Sequence, residues 1–338
     1  MENKNNFNFM RLIFSIMVVY SHSFGLLSLT EPTILGRSFG NFAVHCFFAL
    51  SGYLITISFV NSKGVTEFTY KRILRIVPAY IVAYFLGKIL VSFCNRYIDN
   101  PVPYIINGTV WTLSYEILAY AIIALIGFLG LLKANSIGSF WLAGWIAIII
   151  NYNNQSPTYQ VIVPMLFLFL SGAFIAVNEK HIKIKIIGGI SIILLTLIAV
   201  KPLALVGLFT KIPWLYGASF SPSTINYFIY LFLLPIAIVY IGKYIFIKVN
   251  IKNDISYGIY IYTWPIQQTI IYYFVKSHIT LSPYLLFIFS ILMSGVFSFL
   301  SWKIVEKPSL TLKKYDVYDL INRIVGKITN KINSQSSI

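Results

Sequence analysis

Ten almost unbroken apolar stretches divide this chain, at 10–30, 41–60, 77–94, 110–132, 137–151, 160–177, 185–200, 225–242, 255–275 and 283–303, with short polar or basic segments between them. A helix needs roughly 20 apolar residues to cross a bilayer, and backbone polar groups in lipid are satisfied only within helices or closed barrels. The pattern predicts an all-α, polytopic membrane protein with about ten transmembrane helices. Composition excludes the other classes. Charged residues are 11% of the 338, 58% are hydrophobic, 17% are aromatic, and the mean hydropathy is +0.78. A soluble surface needs more charge than this. A disordered chain does not carry so many aromatics, and two cysteines do not make a disulfide scaffold. Residues 1–308 read as one integral membrane domain and 309–338 as a polar cytoplasmic tail. The segment 203–210 (LALVGLFT) reads as a re-entrant or interfacial piece.

A net charge of +16, from 26 Lys+Arg against 10 Asp+Glu, invites a nucleic-acid reading. The basic residues, however, sit in short clusters between apolar runs, so no nucleic-acid partner is expected. With the N-terminus in the cytoplasm and sides alternating, twenty of the 26 fall inside. Arg37, Arg96, Lys201, Lys211 and Lys276 fall outside, and Lys88 lies within a span. This asymmetry follows the positive-inside rule. It predicts ten spans in the cell (cytoplasmic) membrane with both termini cytoplasmic. No cleavable signal peptide is expected, because Ser21-His22-Ser23 interrupts the first apolar run and no small-residue cleavage site follows.

Ionisable side chains inside a span are costly and point to function. Among the acids only Glu116 falls clearly within a span; Glu31, Asp254, Glu306 and the rest fall in loops, ends or boundaries. In the first span, the eleven residues from Arg11 to His22 rise roughly 16 Å and complete about three turns, which puts both on one helix face. Arg11 marks the cytoplasmic rim and His22 lies past the midplane. Glu116, one turn and a half into the fourth span, falls at a similar depth in the outer half. A histidine with a carboxylate partner is a general base for a hydroxyl, and each residue alone is also what a hydrogen-bonded packing residue looks like. Arg72 and Arg75 are three apart before the third span, so on a helix their guanidiniums are neighbours suited to a diphosphate. A plain positive-inside anchor has the same spacing. Within Phe47 to Tyr53, Ser51-Gly52 allows a close helix approach or a thin substrate.

These residues together resemble the acyltransferase-3 family of integral membrane acyltransferases. The resemblance is carried by Arg11-x10-His22, by Phe47 to Gly52 (FFALSG), by Arg72-x2-Arg75-x2-Pro78, and by Trp111-x-Leu113-x2-Glu116. SYGIYIYTWPIQQ (256–268) and Val305 to Pro308 (VEKP) agree with two later family segments. The likeness covers about 10–308. It implies acetyl-CoA, or a related acyl-CoA, as donor from the cytoplasm, and a hydroxyl of a cell-surface polysaccharide or its lipid-linked precursor as acceptor, within a membrane-lipid setting. On that basis Arg11, Arg72 and Arg75 hold CoA phosphates. His22 deprotonates the acceptor or takes the acyl group transiently, and Glu116 orients and charge-balances it.

The expected substrate-binding residues are Trp111, stacking on a sugar, with Tyr115, Asn41, Tyr53 and His45. His45 stands where many members carry an acid; it replaces that acid, supplements His22 or faces the outer rim. The usual histidine of the SYxxYxxHxP segment is Thr263 here, so that span is given no proton-transfer role. No esterase-like domain is appended, so the acceptor is modified directly or through a separate protein. No metal is expected, since metal-ligand spacings are missing from the sequence. Cys46 and Cys94 read as unpaired thiols, although both map near outer span ends. The competing class is a transporter or flippase for a lipid-linked sugar, which buried polar residues and a central cleft would also suit.

Overall fold

The computed structural model describes residues 5–202, 221–249, 251, 253–315 and 318. The segment 203–210 lies outside the described residues. Ten helices of 16 residues or more occur among the described residues, one at each apolar stretch. They are α1 Phe7–Gly25, α2 Phe39–Val60, α3 Val65–Phe93, α4 Val110–Phe128, α5 Ala134–Ile150, α6 Val163–Asn178, α7 Ile184–Val200, α8 Pro222–Lys243, α9 Ser256–Lys276 and α10 Pro283–Ser301. A short α11, Lys307–Thr311, follows. A two-stranded antiparallel hairpin, Thr33–Ile34 and Arg37–Ser38, leads into α2.

Six helical stretches are long and apolar enough to cross a membrane: Phe39–Val60, Val65–Phe93, Val110–Phe128, Thr158–Asn178, Pro222–Lys243 and Pro283–Lys314. Ala134–Ile150 and Ile184–Val200 are apolar but shorter. Phe128 is 75% exposed, Ile193 68% and Val296 60%. Apolar faces of that extent are stable against lipid and not against water. The chain is a helical membrane protein.

The third helix differs from the sequence expectation. It starts at Val65 rather than 77 and runs through Pro78. The apolar pattern hides this start because the first turns of α3 carry Glu67, Lys71, Arg72 and Arg75.

Two helices, α2 and α9, form the interior. A Cβ at Gly52 would lie 1.8 Å from the Phe169 carbonyl oxygen, and one at Gly172 would lie 2.1 Å from the Ala49 carbonyl oxygen. Two glycines thus let the backbones of α2 and α6 touch. In α9, Pro265 cannot donate to the Ile261 carbonyl four residues back. That carbonyl accepts from Asn107 Nδ2 at 2.8 Å instead. The Asn107 Oδ1 accepts from the Thr109 backbone N–H at 3.1 Å and from its hydroxyl at 2.7 Å. The start of α4 is therefore tied to the middle of α9, which fixes Trp111 and Thr112 beside Tyr260.

Candidate active site

Two cavities lie against each other in the bundle. The larger, about 440 Å³, is lined by Arg11, Arg72, Arg75, Lys313, Glu116 and Asp254 among others. The smaller, about 140 Å³, is lined by His22, Glu31, Ser38, Asn41, Thr109 and Trp111 among others. Val44, Thr112 and Tyr260 line both. The hydroxyls of Thr112 and Tyr260 are hydrogen-bonded to each other across α4 and α9.

In the larger cavity the cations differ in their freedom. Asp254, 7% exposed, pairs with Arg75 and stands 3.6 Å from Arg11 Nη1. Ser256 also donates to this carboxylate. Burial alone would raise the Asp254 carboxyl, but the charges of Arg75 and Arg11 outweigh it and hold the group below the usual range. Arg72 donates to Ser58 Oγ at 3.1 Å, and its Nε is buried without a hydrogen-bond partner. Glu116 accepts from Tyr120, and from Ser51 Oγ at 3.3 Å. The FFALSG segment therefore does two jobs: Ser51 meets Glu116 in the cavity while Gly52 seats α2 on α6.

In the smaller cavity the His22 ring meets the edge of Trp264, with centroids 4.9 Å apart. The neighbouring Ser21 donates to Glu31. The Asn41 Oδ1 is buried without a hydrogen-bond partner.

The residues expected from sequence thus divide. Arg11, Arg72, Arg75 and Glu116 come together in the larger cavity; His22, Asn41 and Trp111 come together in the smaller. His22 and Glu116, matched in depth by helix arithmetic, line different cavities on two sides of the shared wall. His45, Tyr53 and Tyr115 line neither. His45 is fully buried, with Nδ1 2.9 Å from the Tyr230 hydroxyl. Tyr53 donates to Glu179 at 2.7 Å, beside the Glu179–Lys243 ion pair. Tyr115 packs edge-on to Trp111, with centroids 6.1 Å apart. Thr263 bonds back to the Ile259 carbonyl within α9. Cys46 and Cys94 are separate buried free thiols.

Sequence reasoning missed four contributors. Asp254 and Glu31 read from sequence as residues of loops, ends or span boundaries, and each lines a cavity. Lys313 and Leu310 were assigned to the tail, yet both line the larger cavity, and Tyr70 anchors the same segment by donating to the Leu312 carbonyl at 3.3 Å. Asp254 stands two residues before the SYGIY segment, a proximity that would have flagged it.

A helical membrane bundle enclosing a cationic cavity and an imidazole cavity behind one wall has the parts of a membrane-embedded transferase. Residues 4–303 match the Acyltransferase domain of the acyltransferase-3 family, and the chain belongs to that family. The chain is 28% identical to the O-acetyl transferase of Shigella phage Sf6, over 92% of this chain and 97% of the phage protein. It is also 36% identical to Nodulation protein 10 of Rhizobium leguminosarum bv. viciae, over 84 residues covering 24% of this chain and 23% of that one. No solved structure matches the chain.

Proposed function

We propose that this acyltransferase moves an acetyl group from cytoplasmic acetyl-CoA to a hydroxyl of a cell-surface polysaccharide or its lipid-linked precursor. In this reading it crosses the cytoplasmic membrane ten times, with both termini inside. The larger cavity then opens to the cytoplasm and the smaller faces outward. The observation that carries the reading is the division of charge: four cations line one cavity and an imidazole with an unpartnered amide oxygen lines the other.

CoA is polyanionic. Arg72 and Lys313 meet its phosphates, while Asp254 keeps Arg75 and Arg11 together beside them. The acceptor hydroxyl enters the smaller cavity, where Trp111 supports the sugar ring and Asn41 accepts from a neighbouring hydroxyl. His22 takes the acceptor proton as its oxygen attacks the thioester carbonyl. The C–O bond forms, the C–S bond breaks, and the thiolate takes the proton back from the imidazolium as CoA leaves. Glu116 is four residues after Thr112 and so on the same face of α4. It stands just behind the wall and balances the imidazolium across it. The family match favours acyl transfer over the flippase reading.

The test is free-thiol release from acetyl-CoA by purified protein with lipid-linked or polymeric glycan, together with mass spectrometry of the product. Wild type releases thiol and adds acetyl to the acceptor, and His22→Ala loses both by at least 10³-fold, the scale of a general base with its nucleophile. Equal thiol release and acetylation by H22A would end the His22 assignment. Glycan movement across vesicles without any acyl transfer would restore the flippase reading.

A further inference from the structure

The wall between the cavities carries information that the charged residues do not. A side chain that contacts both spaces is the whole thickness of the wall at that point, and Val44, Thr112 and Tyr260 each do so. We propose that these three residues form an acyl port and set the length of the acyl chain this enzyme transfers. The inference rests on the acetyl-CoA reading above and adds to it the residues that restrict the donor to a short acyl chain.

The hydroxyl half of the port is a closed relay. Thr112 donates to the Thr109 carbonyl at 3.0 Å. A carbonyl only accepts, so the Thr112 proton is committed there, and Tyr260 supplies the proton in the Thr112–Tyr260 bond. One neutral hydrogen bond therefore holds the port shut. When a thioester carbonyl reaches it, the Tyr260 hydroxyl swings from Thr112 to that oxygen and stabilises the charge that develops there.

The apolar half is rigid. Val44 is β-branched and stiff about χ1. It sits on α2, whose position is fixed by backbone contact with α6 at Gly52 and Gly172. The Tyr260 ring is braced edge-on by Phe47, with centroids 5.7 Å apart. Neither wall member can retreat far to admit a long chain. The smaller cavity beyond the port holds about 140 Å³, and the acceptor hydroxyl must share it. The port therefore selects acetyl and disfavours longer aliphatic acyl groups. The donor's pantetheine arm stays in the larger cavity, and only the acyl carbon crosses to the His22 side.

The experiment is a donor series of acetyl-, propionyl-, butyryl- and hexanoyl-CoA with one glycan acceptor, read as kcat/KM for thiol release and product acylation. A ratio between donors on a single preparation cancels any loss of folded protein. One methylene in an apolar site is worth about tenfold or more. Wild type is expected to lose at least about tenfold from acetyl to butyryl. Val44→Ala should raise the butyryl-to-acetyl ratio by about tenfold, and Val44→Ile should lower the propionyl-to-acetyl ratio. If V44A does not fold, Thr112→Ser removes one methyl from the same wall, keeps the hydroxyl relay, and should raise the propionyl-to-acetyl ratio. Active wild type with all of these ratios unchanged within twofold overturns the port alone. Wild type that releases no thiol from any acyl-CoA, with acceptor present, overturns both the port and the acyl-CoA reading.

Discussion

Replacing Gly52 by alanine tests the contact on which the cavity geometry depends. The new Cβ would lie 1.8 Å from the Phe169 carbonyl oxygen, 2.6 Å from its carbon and 2.9 Å from its Cα. All three are backbone atoms, so no side chain can rotate away. Ordinary contact requires about 3.4 Å or more, so α2 and α6 must part by roughly 1.5 Å. Overpacking costs about 1–3 kcal/mol where neighbours can yield. Against backbone the upper end applies, and for 338 residues about 3 kcal/mol corresponds to a fall of roughly 4 °C in thermal midpoint. The same movement disturbs Ser51, the next residue, whose hydroxyl donates to Glu116 at 3.3 Å, so activity falls as well. Gly295→Ala is the control, because a Cβ there meets nothing within 4 Å. The assay is thermal unfolding in detergent at one scan rate, since membrane proteins unfold irreversibly and midpoints depend on rate. A further sign is non-additivity. Gly172→Ala opens the same interface from the other side, so the double variant should lose less than the two single losses combined. A midpoint for G52A within 2 °C of wild type would refute the packing argument.

The donor cations and their brace give two further tests. Arg72→Gln and Lys313→Gln each remove a charge-assisted contact worth about 1.5–3 kcal/mol, so KM for acetyl-CoA should rise roughly 10- to 100-fold with kcat little changed. Added salt should weaken wild type more than the double variant, and an unchanged KM would remove both residues from the donor site. Asp254→Asn leaves Arg75 and Arg11 without their counter-charge, a loss of about 3 kcal/mol for a buried pair broken on one side. Because the folded Asp254 carboxyl is held below its ordinary value, its contribution is complete above about pH 4 and fades as pH falls through the lowered value. The midpoint difference between wild type and D254N should therefore be constant from pH 5 to 7 and shrink below pH 4; a difference that grows toward acid would contradict the pairing.

The helices were legible because lipid offers the backbone no alternative partner. An apolar run long enough to cross leaves little choice but a helix, and each of the ten stretches carries one. The same logic misplaced the start of α3, since its charged first turns carry no apolar signal. Which polar residues share a space was not legible. His45 and Tyr53 looked as available as Asn41, yet their partners, Tyr230 and Glu179, lie 185 and 126 residues away in sequence. Helix arithmetic placed Arg11 and His22 on one face, and in the fold each lines a cavity on α1. It matched His22 and Glu116 in depth but carried no knowledge of the wall of α2, α4 and α9 side chains between them. Asp254 and Glu31 escaped because both lie in non-helical connections, and a linear reading does not show that a connection folds back to line a cavity.

The distribution of counter-charges explains why the larger cavity is ready for an anion. Four cations line it against two carboxylates. One carboxylate, Asp254, serves two arginines at once. The other, Glu116, is engaged by the hydroxyls of Tyr120 and Ser51. Arg72 therefore keeps a buried donor with no acceptor, an expensive condition in a low-dielectric setting. A sequence built only for stability would place a third acid there. Its omission leaves the fold carrying an unmet demand for negative charge, which on the proposed reading the phosphates of the donor would meet. The energy released is directional, because Arg72 on α3 and Lys313 beyond α11 can approach one phosphate only from two sides. The segment around Leu310 and Lys313 already packs on α3, where Tyr70 holds the Leu312 carbonyl, so on the proposed reading the donor phosphate seats between Lys313 and Arg72 with its thioester toward Thr112 and Tyr260.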